Sequence, residues 1–266
     1  MLRDITLGQY YPVESPIHRL DPRVKLFGTL IFLVSLFITD NFIGYIPAII
    51  FLIIAIKLSK VPLKYIVKGM KAIVFLLILS VVCNLFLSQG EVIWSFWKLN
   101  ITQEGIRTAG FMAIRLSFLI VGSSIMTLTT TPNNLTDGME KGLGFLKVIK
   151  VPVHEIAMMM SIALRFIPIL TEEADKIMKA QMARGAEFES KSLVKKVKSL
   201  VPVLVPLFVS AFRRANDLAM AMEARCYRGG DGRTKMKPLK YKKNDAMAYL
   251  AIFMYLAVII AVRIIF

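Results

Sequence analysis

The sequence predicts an all-α membrane protein with about five transmembrane helices and several amphipathic cytoplasmic helices. Hydrophobic residues make up 56% of its 266 residues, above the roughly 45–50% of an average soluble domain. The mean hydropathy of +0.62 indicates the same class. Charged residues still account for 20% of the chain, so a sizeable part of it must face water.

Three stretches are long and apolar enough to cross a bilayer, whose hydrocarbon core takes roughly 20 helical residues. They cover residues 69–88, 108–130 and 245–262. Within them, Asn84 and Arg115 are candidate functional residues, because polar groups are costly in lipid. For Arg115 we favour a structural role, in which it pairs within the protein or reaches the membrane interface.

The first apolar block, residues 26–56, is too long for one upright helix and slightly short for two. Asp40 and Asn41 lie in its middle, and Gly44 and Pro47 follow. Such residues weaken helices and favour turns. We therefore predict two short spans joined by a tight hairpin, with one tilted helix as the alternative.

The distribution of lysines predicts the orientation in the cell membrane. The residues before the block at 26–56 are basic, and the loop after it carries Lys57, Lys60, Lys64, Lys68 and Lys71. By the positive-inside rule both flanks are cytoplasmic, which requires an even number of crossings between them. The loop at 89–107 has few charges and three aromatic residues suited to an outer interface. The predicted N-terminus is cytoplasmic and the C-terminus is outside.

Charge and hydropathy divide the chain into three predicted regions. Residues 1–130 form an N-terminal region with about four spans, 131–244 form a cytoplasmic region, and 245–266 form a final transmembrane helix. The middle region carries 21 Lys and Arg against 11 Asp and Glu, which is +10 of the total +16. In an apolar chain this balance is typical of a cytoplasmic face near anionic lipid or an acidic partner.

The middle region contains two long amphipathic helices. Thr131 and Pro132 predict the start of a short helix that runs to about residue 149, and Pro152 predicts the start of the first long one. That helix carries an apolar stripe spaced by three and four residues. The stripe comprises Met159, Ala163, Phe166, Leu170, Ala174, Ile177, Gln181 and Arg184.

A second stripe follows a short basic piece at residues 191–200, from which Pro202 and Pro206 are expected to separate it. It comprises Leu204, Phe208, Ala211, Ala215, Leu218 and Met222, and it leads to Arg225. Packing of the two helices on each other, or on the membrane surface, is the alternative to a partner-binding role. The candidate partner surface is formed by Phe166, Leu170, Ala174, Ile177, Leu204, Phe208 and Leu218.

Each stripe ends at an arginine. The two tripeptides are Ala183-Arg184-Gly185 and Ala224-Arg225-Cys226, and their arginines are 41 positions apart. The planar guanidinium donates five N–H groups and suits grooves rich in carboxylate or carbonyl acceptors. We interpret the two arginines as equivalent anchors for partner proteins.

The residues needed for an enzyme are missing from the sequence. No Gly-x-x-x-x-Gly-Lys-[Ser/Thr] phosphate loop occurs, so the chain lacks the usual means of hydrolysing ATP. His154-Glu155 begins a zinc-protease pattern, but Met158 replaces the second histidine. With two Cys and two His in all, we expect no metal site and no bound cofactor.

Four segments of the chain carry motifs that match a known family in the same order. They are residues 9–25, 152–168, the tripeptide at 183–185 and residues 222–230. Together they resemble the T component, the transmembrane coupling subunit of an energy-coupling factor (ECF) transporter. The similarity covers nearly the whole chain. At Cys226 the family usually has glycine, a departure that concerns the geometry of that helix end.

The resemblance implies a non-catalytic membrane subunit of an ABC-type importer. Two cytosolic ATP-binding cassette ATPase subunits would each hold one arginine motif in a groove, at the end of a long coupling helix. The same helices would present their apolar surface to a small substrate-binding S component in the membrane. ATP and the imported vitamin or metal ion would be bound by these partners. The N-terminal motif favours a shared, vitamin-importing module.

Two rival functions are weighed against this hypothesis. A secondary transporter with its own substrate site would favour paired carboxylates within the spans or repeated halves, and the predicted spans have neither. A membrane-anchored nucleic-acid binder would favour a basic stripe with exposed aromatic residues, whereas acidic residues are interleaved here. We therefore expect no nucleic acid among the partners.

Overall fold

The structure is a computed structural model that describes residues 9–39, 41–71, 73–87, 92–96, 99–186, 188, 193–230, 236 and 238–265. Over these residues the α-helices are α1 (Pro22–Ile38), α2 (Tyr45–Ser59), α3 (Leu63–Lys71), α4 (Val74–Leu87), α5 (Gln103–Thr129), α6 (Pro132–Gly142), α7 (Val153–Ala183), α8 (Leu193–Ala224) and α9 (Lys243–Ile265). The predicted all-α membrane fold is confirmed.

Short elements connect some of these helices. Two 3-10 helices cover Phe42–Gly44 and Gly144–Ile149. Strands β1 (Val92–Phe96) and β2 (Leu99–Thr102) pair as an antiparallel hairpin between α4 and α5. This segment was predicted to be a loop, and the hairpin is a small addition to the helical fold.

The chain forms two compact units. The membrane unit comprises Gly8–Gly142 and Leu239–Phe266, and the α7–α8 unit includes Leu143–Pro238. Helix α6 belongs to the membrane unit, where Gly138 lies so close to Pro22 of α1 that an added Cβ would clash. The region predicted at 131–244 was drawn by charge rather than packing, and its functional separation stays a prediction.

The core of the membrane unit lies between α1, α2, α5 and α9. Leu36 of α1, Tyr45 of α2 and Ile259 of α9 are almost completely buried in one hydrophobic cluster. The Ser35 and Tyr255 hydroxyls lie 2.6 Å apart and link α1 to α9. Buried hydroxyl groups need such partners because leaving them unpaired in an apolar setting is costly.

The predicted division of residues 26–56 into two helices is confirmed, and their two crossings stay a prediction. Helix α1 ends at Ile38 and α2 begins at Tyr45. An Arg115 guanidinium nitrogen donates a hydrogen bond of 3.0 Å to the Thr39 carbonyl at the end of α1, which supports the structural role predicted for this arginine. The other intramembrane candidate, Asn84, donates to the carbonyl of Ser80 one turn earlier in α4.

Four helices of the described chain are long and apolar enough to cross a membrane: Phe42–Ser59, which includes α2, then α5, α7 and α9. The pair α3 and α4, bent by 59° at a short break, passes the same test when taken as one span. Helix α1, with 17 residues, is slightly shorter than these. Helix α7 was predicted to lie in the cytoplasm, and its length and composition would also permit a span.

The start of α6 agrees with the prediction, but its end does not. The Thr131 side chain accepts a hydrogen bond from the Asn134 amide and caps the helix. The helix then stops at Gly142, instead of continuing to about residue 149, because two glycines, Gly142 and Gly144, weaken helical backbone there. A 3-10 helix covers the rest of the predicted segment.

The prediction that Pro202 and Pro206 separate two pieces is wrong, since α8 continues through both prolines. A proline at 206 removes the amide that would donate to the carbonyl of residue 202 in a regular helix. The Gln181 side-chain amide of α7 donates to that Pro202 carbonyl at 3.4 Å. A tertiary contact thus satisfies the backbone group that the proline leaves free.

Candidate functional site

The two arginine tripeptides occupy the same position in two helices. Helix α7 ends at Ala183 and α8 ends at Ala224, so Arg184 and Arg225 each follow directly. The next residues, Gly185 and Cys226, have φ angles of +87° and +55°. In both cases the residue directly after the arginine has a left-handed backbone conformation, which ends the helix.

The backbone hydrogen bonds at the two ends are equivalent. At α7 the Gly185 amide donates to the Met182 carbonyl at 3.0 Å and the Ala186 amide to the Gln181 carbonyl at 3.0 Å. At α8 the same pair of bonds is made by the amides of Cys226, at 2.8 Å, and Tyr227, at 3.0 Å. This pair of hydrogen bonds is the Schellman motif of helix C-termini. Cys226 thus adopts the same helix-end geometry as Gly185.

Both guanidinium groups are available for contact. Arg184 and Arg225 are exposed, as are their neighbours Ala183 and Ala224. Within the described chain no carboxylate forms an ion pair with either arginine. An exposed guanidinium beyond a helix end can donate several N–H groups to one acceptor-rich groove.

Helices α7 and α8 pack against each other in antiparallel directions. Glu173 of α7 accepts hydrogen bonds from the Ser210 hydroxyl and from an Arg214 guanidinium nitrogen, the latter at 3.0 Å. Gln181, eight residues further along α7, contacts Pro202, eight residues earlier in α8. Equal steps in opposite directions define the antiparallel register.

The register places the two arginines at opposite ends of the helix pair. At a rise of 1.5 Å per residue, Arg184 lies about 16 Å beyond Glu173. Arg225 lies about 22 Å beyond Ser210 in the other direction. The two anchors are therefore on the order of 35–40 Å apart along the pair.

The apolar stripe predicted on α7 is partly covered. Phe166, Leu170, Ala174 and Ile177 are all half-buried. Met159, nearer the start of the helix, remains 57% exposed. The alternative in which these helices pack on each other accounts for part of this stripe.

On α8 the predicted stripe divides between two environments. Leu218 is half-buried, whereas Leu204 and Phe208 are 45% and 62% exposed. Four further apolar residues that were not predicted as part of the stripe are also exposed on α8 and widen its outer, solvent-facing side: Val201, Val205, Val209 and Phe212. Their spacing of three or four residues could have indicated this face, but the predicted stripe follows the neighbouring positions that lead to Arg225.

The N-terminal motif at residues 9–25 builds a polar junction in the membrane unit. Asp245 of α9 is 1% exposed and accepts hydrogen bonds from the backbone amides of Asp21, at 2.8 Å, and Lys242, at 2.7 Å. Asp21 also pairs with Arg23 at 2.9 Å. Burial opposes ionisation of Asp21, but its hydrogen bonds to Arg23 outweigh this and lower the pKa of the carboxyl. The role of Asp245 was not predicted, because it depends on a contact 224 positions away.

His18 fixes the chain just before α1. Its Nε2 donates to the Tyr11 carbonyl at 3.0 Å, and its Nδ1 lies 2.6 Å from the Ser15 hydroxyl oxygen. In the neutral ring with the proton on Nε2, Nδ1 accepts from that hydroxyl. Burial lowers the pKa of His18, and the nearby charge of Lys25 acts in the same direction.

Comparison with known proteins places this architecture in a class, the multi-pass membrane components of transporters. The CbiQ family, described as "cobalt transport protein", matches residues 13–236. A Clostridium kluyveri protein named "Energy-coupling factor transporter transmembrane protein EcfT" is 55% identical over 266 residues, which covers 99% of this chain and 98% of that protein. A Thermosediminibacter oceani protein of the same name is 54% identical over 250 residues, or 94% of each chain.

A third relative with this name, from Ruminiclostridium cellulolyticum, is 52% identical over 247 residues, 93% of this chain and 92% of that protein. The chain therefore belongs to the family of energy-coupling factor transporter transmembrane proteins. The resemblance inferred from the four sequence motifs is confirmed.

Proposed function

We propose that this subunit couples ATP hydrolysis by two cytosolic ATP-binding cassette ATPases to reorientation of a membrane S component that carries a vitamin. The observation that supports this most strongly is the pair of equivalent helix ends, each with an exposed arginine. Two equivalent anchors suit two equivalent or closely similar partners. The chain itself would catalyse no reaction and hold no cofactor.

Each arginine would dock in a groove of one ATPase. The motifs 183–185 and 224–226 have the same hydrogen-bonded helix end, so each presents its guanidinium in the same way. The estimated separation of 35–40 Å lets two partner subunits bind without overlap. Because the side chains are already exposed, docking needs no unfolding of the helix ends.

The helix pair would act as the mechanical link. Both anchors lie at the ends of long helices that are held near their middles by the contacts of Glu173 with Ser210 and Arg214. When the two ATPases approach each other or separate, force applied at the ends would change the crossing angle about this point. A small shift near the anchors would therefore move the apolar faces between them.

Those faces would hold the S component. The proposed contact residues on α7 are Phe166, Leu170, Ala174 and Ile177, and those on α8 are Leu204, Phe208 and Leu218. Exposed apolar surface of this extent usually marks a protein or membrane contact. The newly recognised Val205, Val209 and Phe212 extend the same side of α8 and are added to the proposed surface.

We place α7 and α8 on the cytoplasmic side, with the N-terminus of the chain inside and the C-terminus outside. Although α7 is long and apolar enough to cross a membrane, its exposed residues include Glu172, Lys176 and Lys179. Such charges in contact with lipid would be costly. At the membrane surface they would face water, while the apolar side remains available to the S component.

The substrate class is part of the proposal. The family description refers to cobalt, whereas the resemblance of the N-terminal motif favours a shared module that imports vitamins. If the module is shared, more than one kind of S component should copurify with it. If it is a dedicated cobalt importer, one kind should copurify. Recovery of S components from cells expressing the tagged chain distinguishes the two.

The experiment that tests the anchoring is copurification of the ATPases with an Arg184→Ala/Arg225→Ala variant. Loss of an interface arginine costs about 2–5 kcal/mol, at least a thirtyfold loss of affinity, so we expect the ATPases to be lost. The control is Lys179→Ala/Arg213→Ala, which removes one exposed cation from each helix away from its end. Full recovery of both ATPases with the arginine variant would refute the proposed anchors.

A further inference from the structure

An open apolar groove lies in the membrane unit between α1, α2, α5 and α9. Its volume is about 570 Å³, within the range of pockets that bind small ligands. Aliphatic and aromatic side chains form most of its wall, including Ile50, Ala55, Ala251 and Met254. Among the described residues that line it, Lys25 is the one with a charged side chain.

The groove runs from one end of the unit towards its middle. The hydrogen bond from Lys25 to the Thr129 carbonyl places the N-terminus of α1 beside the C-terminus of α5, and Asp21 and Asp245 join the N-termini of α1 and α9. Along α9 the groove extends from Ala248 to Val258, a rise of about 15 Å. This matches one leaflet, about half of a 30 Å hydrocarbon core.

Lys25 supplies a cation at the end of this groove that lies beside the N-terminus of α1. Its ammonium donates to the carbonyls of His18, at 3.2 Å, and Thr129, at 2.8 Å. An ammonium has three donors, so one N–H remains for a ligand. The charges of Asp21 and Asp245 both act on Lys25, but Asp21 forms its ion pair with Arg23, and Asp245 accepts from two backbone amides.

We propose that the groove binds one acyl chain of an anionic phospholipid from the leaflet beside the N-terminus of α1, with the phosphate at Lys25. The match of groove length to one leaflet, its apolar wall and the ammonium of Lys25 at the headgroup end all favour this ligand. The inference does not depend on the coupling role of α7 and α8, which form the other unit.

The test uses the full-length chain in nanodiscs that contain equal parts of phosphatidylglycerol and phosphatidylcholine. One lipid at a time carries a photoreactive acyl chain, and the labelled peptides are mapped. We expect the phosphatidylglycerol probe to label the groove near Met126 and Met254 more strongly than the phosphatidylcholine probe. Replacing Lys25 by Met should reduce this preference roughly fivefold, the effect of one lysine at an anionic surface.

A second pair of variants keeps the test independent of the polar contacts of Lys25. Ala251→Phe fills the groove and should reduce its labelling to background. Ala261→Phe makes the same change at an exposed position on α9 outside the groove and should leave labelling unchanged. Equal labelling by both probes, no labelling of groove peptides, or full labelling of the Ala251→Phe variant would overturn the proposal.

Discussion

Gly185 and Cys226 share a left-handed backbone conformation, each one residue after the arginine that follows its helix. Glycine adopts this conformation without steric cost, whereas a side chain with a Cβ does not. The chain therefore carries the same helix end twice, once without strain and once with a strained cysteine.

This difference predicts opposite effects of two substitutions. Cys226→Gly should stabilise the α7–α8 unit by about 1 kcal/mol, because it relieves the left-handed strain. Gly185→Ala should destabilise it by about the same amount, since no described residue lies within 4 Å of the added Cβ and strain is the remaining cost. Thermal unfolding of the purified variants measures both. Equal stability of all three proteins would show that this backbone conformation carries no strain.

The burial of His18 predicts a pH dependence of stability. The folded pKa lies below the ordinary value of 6.5, so the unfolded chain binds more protons in the interval between the two values. The contribution of His18 to the free energy of unfolding should therefore be fully present above about pH 6.5. It should decline as the pH falls from there through the folded pKa. Thermal unfolding between pH 7.5 and 5.5 measures the decline.

The control for this prediction uses the other histidine of the chain, since there are two. His18→Gln should flatten the decline in stability, and His154→Gln should leave the part due to His18 intact. A decline of equal size in the wild type and in the His18→Gln protein would contradict the assignment.

The proposed S-component surface predicts a separation of two binding activities. Ala174→Glu and Phe208→Glu should each abolish capture of the S component while both ATPases still copurify, because an unpaired carboxylate in an apolar contact costs several kcal/mol. Ala180→Glu adds the same charge at an exposed position of α7 outside the stripe and should have no effect. Loss of the ATPases as well would indicate that these residues serve only the packing of the unit.

The proposed orientation predicts opposite labelling of two exposed positions. In a chain without Cys83 and Cys226, Gln103→Cys should react with an impermeant thiol reagent added to intact cells. Lys198→Cys should react only after the cells are opened. The reverse pattern would invert the orientation, and reaction of both positions in intact cells would place α8 outside the cytoplasm.

Local sequence signals predicted several elements well. Asp40 and Asn41 interrupt an apolar block, and basic residues on both flanks required two crossings, so the α1–α2 hairpin could be predicted. The stop of α7 was also predictable, because Gly185 adopts φ values that other residues avoid.

The features that were missed depend on contacts between distant residues. Proline at 206 indicates a break in isolation, but α8 continues through it, and Gln181 of α7 donates to the Pro202 carbonyl that the proline leaves without a helical donor. Likewise, the sequence shows Asp245 only as a polar residue at the start of a span. Its buried contact with the Asp21 amide is visible only in the structure. The outer face of α8 was missed because helical periodicity alone does not determine which of two adjacent apolar stripes a neighbouring helix covers.

The most direct test of the coupling role is simultaneous measurement of ATP hydrolysis and vitamin uptake by the complete transporter in proteoliposomes. The Arg184→Ala/Arg225→Ala subunit should support no ATP-dependent uptake, even when excess ATPase is supplied and continues to hydrolyse ATP. The Lys179→Ala/Arg213→Ala control should transport normally. Uptake at the wild-type rate per ATP hydrolysed by the arginine variant would contradict the account.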